Sequence, residues 1–502
     1  MKILGKHGQG KAVWAALRIG VVALAAAFAL GVAVSAPAIA QDAAPAAAVT
    51  TAPAPAEAVT TAATPEAAPV AAEAAPAAEA AAAEPADTMD KGDTAWMMTA
   101  TALVLMMCVP ALGLFYGGLV RAKNMLSVLM QVSTCVAIGL VVWALWGYSL
   151  AFGTGFGDTP LSPFLGGMNQ FFMAGINADS TAATFTDHVV IPELVFMSFQ
   201  ATFAAITAAL VLGSVVERMK FSAVVIFSII WPILSYYPIA HMVWASGGLL
   251  FDMGAYDFAG GTVVHINAGI SGLMGALILG PRLGYRTEQM PPHSLVMTLI
   301  GAGLLWVGWF GFNAGSNLEA TGGAGLAFTN TLMATAAAGL SWALVEWITK
   351  GKPSMLGFAS GLVAGLVAIT PACGFAGPMG GIILGAVVSP ICIFFCTGVK
   401  NLLKYDDSLD VFGIHCVGGI VGALGTAIVA NGAFGGINGD DYNMMHQLGV
   451  QGTAVGTSLV WSAVAGIIVF GILKFIPGMR VSKETEQEGL DIAEHGERAY
   501  HV

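Results

Sequence analysis

Long apolar runs dominate the chain from residue 95 onward, and short polar segments separate them. A helix that crosses a membrane needs about 20 largely apolar residues. The pattern predicts eleven transmembrane helices, at 95–119, 125–150, 193–214, 221–246, 260–280, 294–314, 325–348, 354–371, 376–398, 409–430 and 450–475. The sequence therefore predicts an all-α polytopic membrane protein.

The loops between these runs alternate in charge. Loops after odd-numbered runs carry Lys and Arg, for example Arg121 and Arg218. Loops after even-numbered runs carry acidic residues instead, for example Asp252 and Glu319. Because positive charge marks the cytoplasmic side of a membrane, we predict a multi-pass protein of the inner (cytoplasmic) membrane. Its N-terminus would lie outside and its C-terminus in the cytoplasm.

An odd number of spans suggests two five-span halves and one extra helix. The fifth run follows Asp257 and contains His265, and the tenth has Asp410 at its start and contains His415. With five spans in each half, the second half enters the membrane from the opposite side. We therefore predict an inverted five-plus-five repeat plus one extra helix, with Asp410 as the pseudo-symmetric counterpart of Asp257.

The N-terminal segment has the pattern of a signal peptide. Basic residues precede an apolar stretch at 19–34, and Ala38-Ile39-Ala40 has the form of a cleavage site. We predict a signal peptide at 1–40, with an uncleaved signal anchor as the alternative.

The remaining boundaries follow from composition. Residues 41–93 are mainly Ala, Pro, Glu, Thr and Val, without apolar periodicity, so we predict a disordered extracytoplasmic tail there. We predict a membrane domain at 94–476 and a cytoplasmic tail at 477–502.

Overall composition excludes several function classes. The chain of 502 residues is 57% hydrophobic and only 10% charged, against about 25% charged in an average soluble domain. Lipid must therefore surround most of it.

The net charge of -11 and the lack of a basic cluster predict no nucleic-acid partner. The cysteines lie in apolar runs without a set of further ligands, and no enzyme motif is evident, so we predict no metal, no cofactor and no enzymatic activity.

Two histidines are the best-placed ionisable residues inside the predicted spans. Such residues are costly in a membrane, so each is a functional candidate. An imidazole donates from one nitrogen and accepts at the other. His265 and His415 together could pass a small neutral hydrogen-bonding molecule or relay a proton. A structural role is the alternative for each alone, and their placement in corresponding runs favours function.

Asp257 lies eight residues before His265, a helical rise of about 12 Å. It could cap the fifth helix or stabilise a nearby cation, and the sequence leaves both roles open.

Aromatic residues mark the predicted outer half. Trp244 ends the fourth run on the outer side. An aromatic face attracts a compact cation, and Trp is the strongest. Anchoring at the membrane interface or packing is the alternative. The other aromatic candidates are Phe199, Phe203, Trp309 and Phe312.

Five stretches resemble signature segments of the ammonium transporter family (Amt/Mep/Rh), in its bacterial Amt type. They are IAHMVW at 239–244, DFAGGTVVHINAGISGLMGALILGPR at 257–282, GWFGFNAGS at 308–316, GLVAITPACG at 365–374 and DVFGIHCVGGI at 410–420. The resemblance extends from about residue 94 to the C-terminus.

The resemblance implies a homotrimer with one pore in each subunit. It implies that Phe203, Trp244 and Ser316 recruit ammonium at the outer side. Phe203 and Phe312 would form a stacked gate below this site. Asp257 would stabilise the site and assist deprotonation.

For the path itself, the resemblance implies that His265 and His415 are paired pore histidines. Phe199 and Trp309 would line the vestibule and the pore wall. Ammonia would then cross with its proton moving separately. The independent physical reason is that bare ammonium in a dry pore faces a large desolvation cost, which neutral ammonia avoids.

The resemblance also implies a regulatory tail and a cytoplasmic partner, a PII-type signal protein. An ammonium sensor or transceptor is the main alternative function. A fused kinase or cyclase domain would favour it, and we predict none in the tail. A channel for neutral gas, of the Rh type, is the second alternative, against which Trp244 and Ser316 favour recruitment of a cation.

Overall fold

The computed structural model describes residues 86–157, 159–476 and 478–500. Its apolar helices are α1 (Lys91–Leu119), α2 (Ala122–Phe152), α3 (Glu193–Leu212), α4 (Phe221–Asp252), α5 (Gly261–Leu279), α6 (Leu295–Gly315), α7 (Gly322–Lys350), α8 (Met355–Ile369), α9 (Pro378–Leu403), α10 (Phe412–Val429) and α11 (Met444–Phe475). Within the described ranges, ten of these are long and apolar enough to cross a membrane. The exception is α8, which has 15 residues and lies where the eighth span was predicted. The polytopic helical membrane fold is confirmed, with one full-length span fewer than predicted.

The first described helix begins within the predicted tail. Asp90 caps α1 by accepting a hydrogen bond from the backbone nitrogen of Asp93 at 2.9 Å, so the helix starts at Lys91. The end of the predicted tail at 41–93 is therefore structured. The rest of that tail and the predicted signal peptide at 1–40 lie outside the described residues.

A small sheet precedes α3 and was not predicted. Its strands are β1 (Thr88–Met89), β2 (Thr181–Ala183) and β3 (Val189–Pro192), in the order β1-β3-β2. β1 runs parallel to β3, and β2 runs antiparallel to it. The sheet joins the start of α1 to the long loop after α2.

Helix α3 is as deeply buried as α5, and more deeply than the other described spanning helices. Its residues are buried without interruption from Ala201 to Leu212, so this segment does not face lipid on any side. The apolar core therefore forms around α3, and the functional candidates on α3 point into protein.

The starts of α5 and α10 share an uncommon backbone form. Both begin with π-helical segments, Gly261–Ile266 and Phe412–Cys416. A π-helical turn holds one residue more than an α-helical turn and is frequent at functional sites. His265 and His415 each lie in one of these segments.

Two glycines let α5 and α10 cross closely. A Cβ atom on Gly269 would overlap the backbone nitrogen of Cys416, and one on Gly419 would lie 2.8 Å from the carbonyl oxygen of Gly261. Gly269 and Gly419 each follow the histidine of their helix by four residues. Small residues permit such close contact between spanning helices, and the crossing brings His265 toward His415.

The loops after α1, α3, α5 and α9 meet on one face, named here the basic face. Glu217 forms ion pairs with Arg121 at 3.1 Å and with Arg282 at 2.8 Å. Arg282 also pairs with Asp406 at 2.8 Å. Burial alone would raise the pKa of Glu217, but Arg282 and Arg121 outweigh it and lower that pKa to about 2. Glu217 is therefore a buried, ionised centre of this face.

The C-terminal tail packs onto the same network. It forms two short helices, α12 (Lys483–Glu488) and α13 (Leu490–His495). Glu486 pairs with Arg480 at 2.8 Å and accepts from the backbone nitrogen of Leu283 at 2.6 Å. Asp491 accepts from the backbone nitrogen of Ser127 at 2.8 Å. The tail thus links the start of α2 to the loop after α5.

The loops after α2 and α6 and the end of α4 meet on the opposite, acidic face. The backbone nitrogen of Thr186 donates to Glu319 at 2.8 Å, and that of Leu249, near the end of α4, donates to the carbonyl of Pro163 at 3.0 Å. The grouping of the loops on two faces agrees with the alternation read from loop charge. Which face is cytoplasmic stays a prediction.

Candidate functional site

His265 and His415 face each other at the crossing of α5 and α10. Their Nδ1 atoms lie 3.3 Å apart, and their rings are 5.4 Å apart between centroids with an interplanar angle of 21°. Both residues are buried. The structure brings together the two histidines that were predicted to act as a pair.

Contact through two Nδ1 atoms fixes how protons are distributed over the pair. A neutral imidazole carries one hydrogen, so one ring donates at Nδ1 and the other accepts. The donating ring then has an acceptor at Nε2, and the accepting ring has a donor there. Among the described residues, Nε2 of His265 has no hydrogen-bond partner. It is available to a small polar molecule.

A narrow, mainly apolar cavity contacts both histidines. Its free volume is about 10 Å³, close to the minimum that holds one water-sized molecule. Apart from the histidines, its lining includes Leu112, Phe115, Ile206, Leu305 and Val363. Such a space admits a single small neutral molecule and offers an ion no replacement for its hydration shell.

Aromatic rings pack against the other side of His265. Trp309 stacks on His265 with ring centroids 5.4 Å apart, and its indole N–H donates to the hydroxyl of Thr370 at 2.9 Å. Phe312 lines the cavity and stacks on Phe203 at 4.0 Å with an interplanar angle of 18°. Phe203 and Phe312, the residues predicted to form a gate, are therefore in direct contact.

The predicted recruitment residues surround this stack. Trp244 lies edge-on to Phe203 at 5.9 Å, held by an indole N–H that donates to the carbonyl of Asp257 at 2.8 Å. Phe199 flanks Phe203 at 4.8 Å. The Ser316 hydroxyl donates to the carbonyl of Phe312 at 2.8 Å, which leaves its oxygen free to accept. Trp244 and Ser316 are only half-buried.

Asp257 is the helix cap of α5. Its carboxylate accepts from the backbone nitrogens of Gly260 at 2.9 Å, Gly261 at 2.5 Å, Thr262 at 2.8 Å and Val263 at 3.2 Å. It also accepts from the Thr262 hydroxyl. Of the two roles that the sequence left open, capping is the one that these contacts supply. Asp257 does not line the cavity beside His265.

Asp410 has a different role from the one predicted. Its carboxylate pairs with Lys400 at 2.7 Å, and the side chain is 39% exposed. The acid that caps α10 is Asp407, whose Oδ2 accepts from the backbone nitrogen of Phe412 at 2.8 Å. Asp407 is fully buried. The structural counterpart of Asp257 is therefore Asp407.

Sequence spacing and backbone conformation both support the pairing of Asp257 with Asp407. His265 and His415 are 150 residues apart, and the same offset relates Asp257 to Asp407. At this offset Gly260, with φ of 114°, matches Asp410, with φ of 59°. Both residues therefore adopt the left-handed conformation, three positions after the capping acid. Asp410, which was predicted as the counterpart of Asp257, instead occupies the place of Gly260.

A larger vestibule lies beyond His415, toward the basic face. Its volume is about 220 Å³, and its lining includes His415, Ser408, Asp410 and Arg282. Tyr116 lines both this vestibule and the narrow cavity. His415 therefore lines both a tight apolar space and a larger space that also contains charged and polar side chains.

The model of the Ammonium Transporter Family matches residues 95–500. This chain belongs to the ammonium transporter family. Two similar relatives are the ammonium transporters of Aquifex aeolicus (strain VF5) and Bacillus subtilis (strain 168). The first is 46% identical over 82% of this chain and 94% of its own length. The second is 41% identical over 82% of this chain and 99% of its own.

Solved structures of ammonium transporter family proteins have the same fold. Mep2 of Saccharomyces cerevisiae matches with a TM-score of 0.70 and 33% identity, over 79% of this chain and 88% of that one. A structure titled "Sensor Amt Protein" matches with a TM-score of 0.73 and 27% identity, over 80% of this chain and 98% of that one. The ammonium transporter family consists of transporters and channels, so this chain is not an enzyme.

Proposed function

We propose that this protein transports ammonium by recruiting the cation at an outer site, removing its proton and passing ammonia along His265 and His415. The observation that carries the proposal is the histidine pair beside a cavity of about 10 Å³, in a chain of the ammonium transporter family. The route would run from the aromatic stack through this cavity to the vestibule.

Recruitment rests on the aromatic cluster at the acidic face. The half-buried Trp244 ring presents a π face beside Phe203, and the Ser316 oxygen can accept a hydrogen bond from ammonium. A desolvated cation over a Trp face gains about 2 kcal/mol or more. The carboxylate of Asp257 adds negative potential without direct contact, since its oxygens bond to the start of α5.

Deprotonation follows from the apolar lining of the cavity. An ion that enters it must leave its hydration shell, at a cost of many kcal/mol. Ammonia is neutral and needs only one acceptor and one donor, which the Nε2 atoms of His265 and His415 supply. Potassium cannot release a proton, so the same barrier excludes it.

The proton would follow a separate course along the histidine pair. The Nδ1–Nδ1 contact of 3.3 Å lets one ring pass a proton to the other. Transport would then move charge together with ammonia.

Assembly, location and regulation complete the proposal. We infer a homotrimer and control by a PII-type protein from the family resemblance. The loop charges support insertion in the inner membrane with the basic face in the cytoplasm. A cleaved signal peptide at 1–40 would fit an outer N-terminus.

Purified protein in proteoliposomes tests transport directly. An ammonium pulse should evoke a current and the accumulation of ammonium inside the vesicles, and a potassium pulse of equal strength should evoke neither. A preparation that is folded and correctly inserted, yet gives neither signal with ammonium, would overturn the proposal.

Sensing is the second candidate, supported by the likeness to the structure titled "Sensor Amt Protein". A sensor would bind ammonium without flux. Ammonium that raises the thermal unfolding midpoint while no current or flux appears would favour sensing over transport.

A further inference from the structure

Asp407 and Asp257 cap equivalent helices but differ in how many hydrogen bonds their carboxylate oxygens accept. Asp257 accepts four backbone N–H groups and one hydroxyl. Asp407 accepts through Oδ2 from Phe412. Within the described ranges, Oδ1 of Asp407 has no hydrogen-bond partner, although the residue is fully buried.

An unpaired buried carboxylate oxygen costs about 1–3 kcal/mol or more. Capping alone does not require it, because Ser, Thr or Asn would accept the same backbone hydrogen bond. The Ser214 hydroxyl lies close enough to lower the pKa of Asp407, yet it too lacks a partner in the described part of the chain. Two polar groups thus point into one buried spot without satisfying each other.

The charges around Asp407 keep its proton affinity high. Burial raises the pKa of Asp407 above its ordinary value, the Lys400 ammonium lowers it, and the Asp410 carboxylate raises it again. Lys400 donates to the Asp407 carbonyl and to Asp410, each at 2.7 Å. The remaining titratable groups that face Asp407 are Tyr116 on α1, Cys396 on α9 and Tyr405 on the loop.

The vestibule brings solvent from His415 to the immediate neighbours of Asp407. Its lining includes His415, Ser408, Leu409 and Asp410. Asp407 precedes His415 by eight residues and caps the start of α10, without lining the narrow cavity beside His415. Water in the vestibule is the carrier that the volume allows between them.

We propose that Asp407 is the inner proton acceptor of the transport path. A vestibule hydronium, formed when the accepting histidine releases its proton to water, gives a proton to Oδ1 of Asp407. One O–H bond breaks in the hydronium and one forms on the carboxyl. Asp407 then returns the proton to a water at the basic face, so atoms and charge balance. The inference rests on the proposed function.

Two signals from one preparation test this role. The first is the current evoked by ammonium at neutral pH, which needs proton transfer. The second is the entry of neutral ammonia at alkaline pH, which does not. Asp407→Asn keeps an oxygen for the Phe412 N–H and removes the proton-accepting carboxylate. The matched control is Glu488→Gln, an exposed carboxylate on the tail.

We expect Asp407→Asn to lower the current by about 100-fold, the scale of a lost acid–base group, with ammonia entry unchanged. Asp407→Glu should recover most of the current, and Glu488→Gln should match wild type. Equal loss of both signals, with a lower unfolding midpoint, would show that Asp407 only caps α10. Unchanged signals would also overturn the inference. Failure of the proposed function differs from both, because wild type itself would then give no current.

Discussion

Nδ1 of His265 and Nδ1 of His415 lie 3.3 Å apart, so two chemically equivalent atoms must take opposite roles. One ring donates and the other accepts, and moving one proton exchanges the roles. Neither ring keeps this arrangement without the other. The pair is therefore one functional unit formed by α5 and α10.

Replacing either histidine with alanine should lower the ammonium-evoked current about as much as replacing both. The reason is that residues acting as a unit give strongly non-additive losses. We expect each loss to be about 100-fold or more, measured as current per reconstituted protein. Losses that multiply, or a double variant with an unchanged ammonium-selective current, would contradict the paired role.

Gly269→Ala should lower the thermal unfolding midpoint. The new Cβ atom would meet the backbone of Cys416, and overpacking of this kind costs about 1–3 kcal/mol. The matched control is Gly456→Ala in α11, where an added Cβ meets nothing within 4 Å. A helical Gly→Ala change at such a position is neutral or stabilising. Equal midpoints for the two variants would show that the crossing of α5 and α10 is not tight.

Trp244→Leu should weaken the apparent affinity for ammonium by about 2- to 30-fold, which corresponds to a cation–π contribution of about 0.5–2 kcal/mol. The maximal current should change less, because Trp244 lies outside the narrow cavity. Current measured over a range of ammonium concentrations separates the two quantities. Trp347→Leu, at a side chain that is 63% exposed, serves as the control. An unchanged half-saturating concentration would remove Trp244 from the recruitment site.

Glu217→Gln should destabilise the protein at neutral pH by about 3–5 kcal/mol, because it leaves two partly buried Arg charges without their partner. Burial alone would raise the pKa of Glu217, but Arg282 and Arg121 outweigh it and lower the pKa from 4.5 to about 2. A depressed pKa stabilises the folded state above the unfolded-state value, and this contribution is lost as pH falls.

The gap between the unfolding midpoints of wild type and Glu217→Gln should therefore narrow as pH falls from 4.5 toward 2. The control is Asp441→Asn, an exposed carboxylate on a loop of the opposite face, which should leave the midpoint unchanged. A gap that stays constant with pH would show that the ion pairs of Glu217 contribute little.

Loop charge predicted which loops lie together, because the cost of moving charge across lipid is a local property of composition. The histidines stood out for the same reason. The length of the eighth apolar run did not predict that α8 is shorter than a full span. A helix of 15 residues can be packed into the bundle without a full-length apolar run. In the sheet β1-β3-β2, strands β1 and β3 pair although they are about a hundred residues apart in sequence. The local sequence around either strand does not indicate such a distant partner.

Asp407 was not among the residues predicted from sequence, although a signal was present. Three acids, Asp406, Asp407 and Asp410, precede α10, and each has a different structural task. Asp406 pairs with Arg282, Asp407 caps the helix and Asp410 turns the chain. Asp410 was instead predicted as the counterpart of Asp257. The spacing of eight residues to the histidine, already known from Asp257, would have selected Asp407.

The common offset of 150 residues also bears on the direction of transport. The two halves have matching caps, turns and histidines and are inserted with opposite orientation. The path they form is therefore similar when entered from either side of the membrane. Such a path favours neither direction, so concentration and voltage gradients decide which way ammonium moves. Rectification, where it occurs, has to come from the parts that one half does not share with the other: the aromatic stack at one mouth and the ion-paired tail at the other.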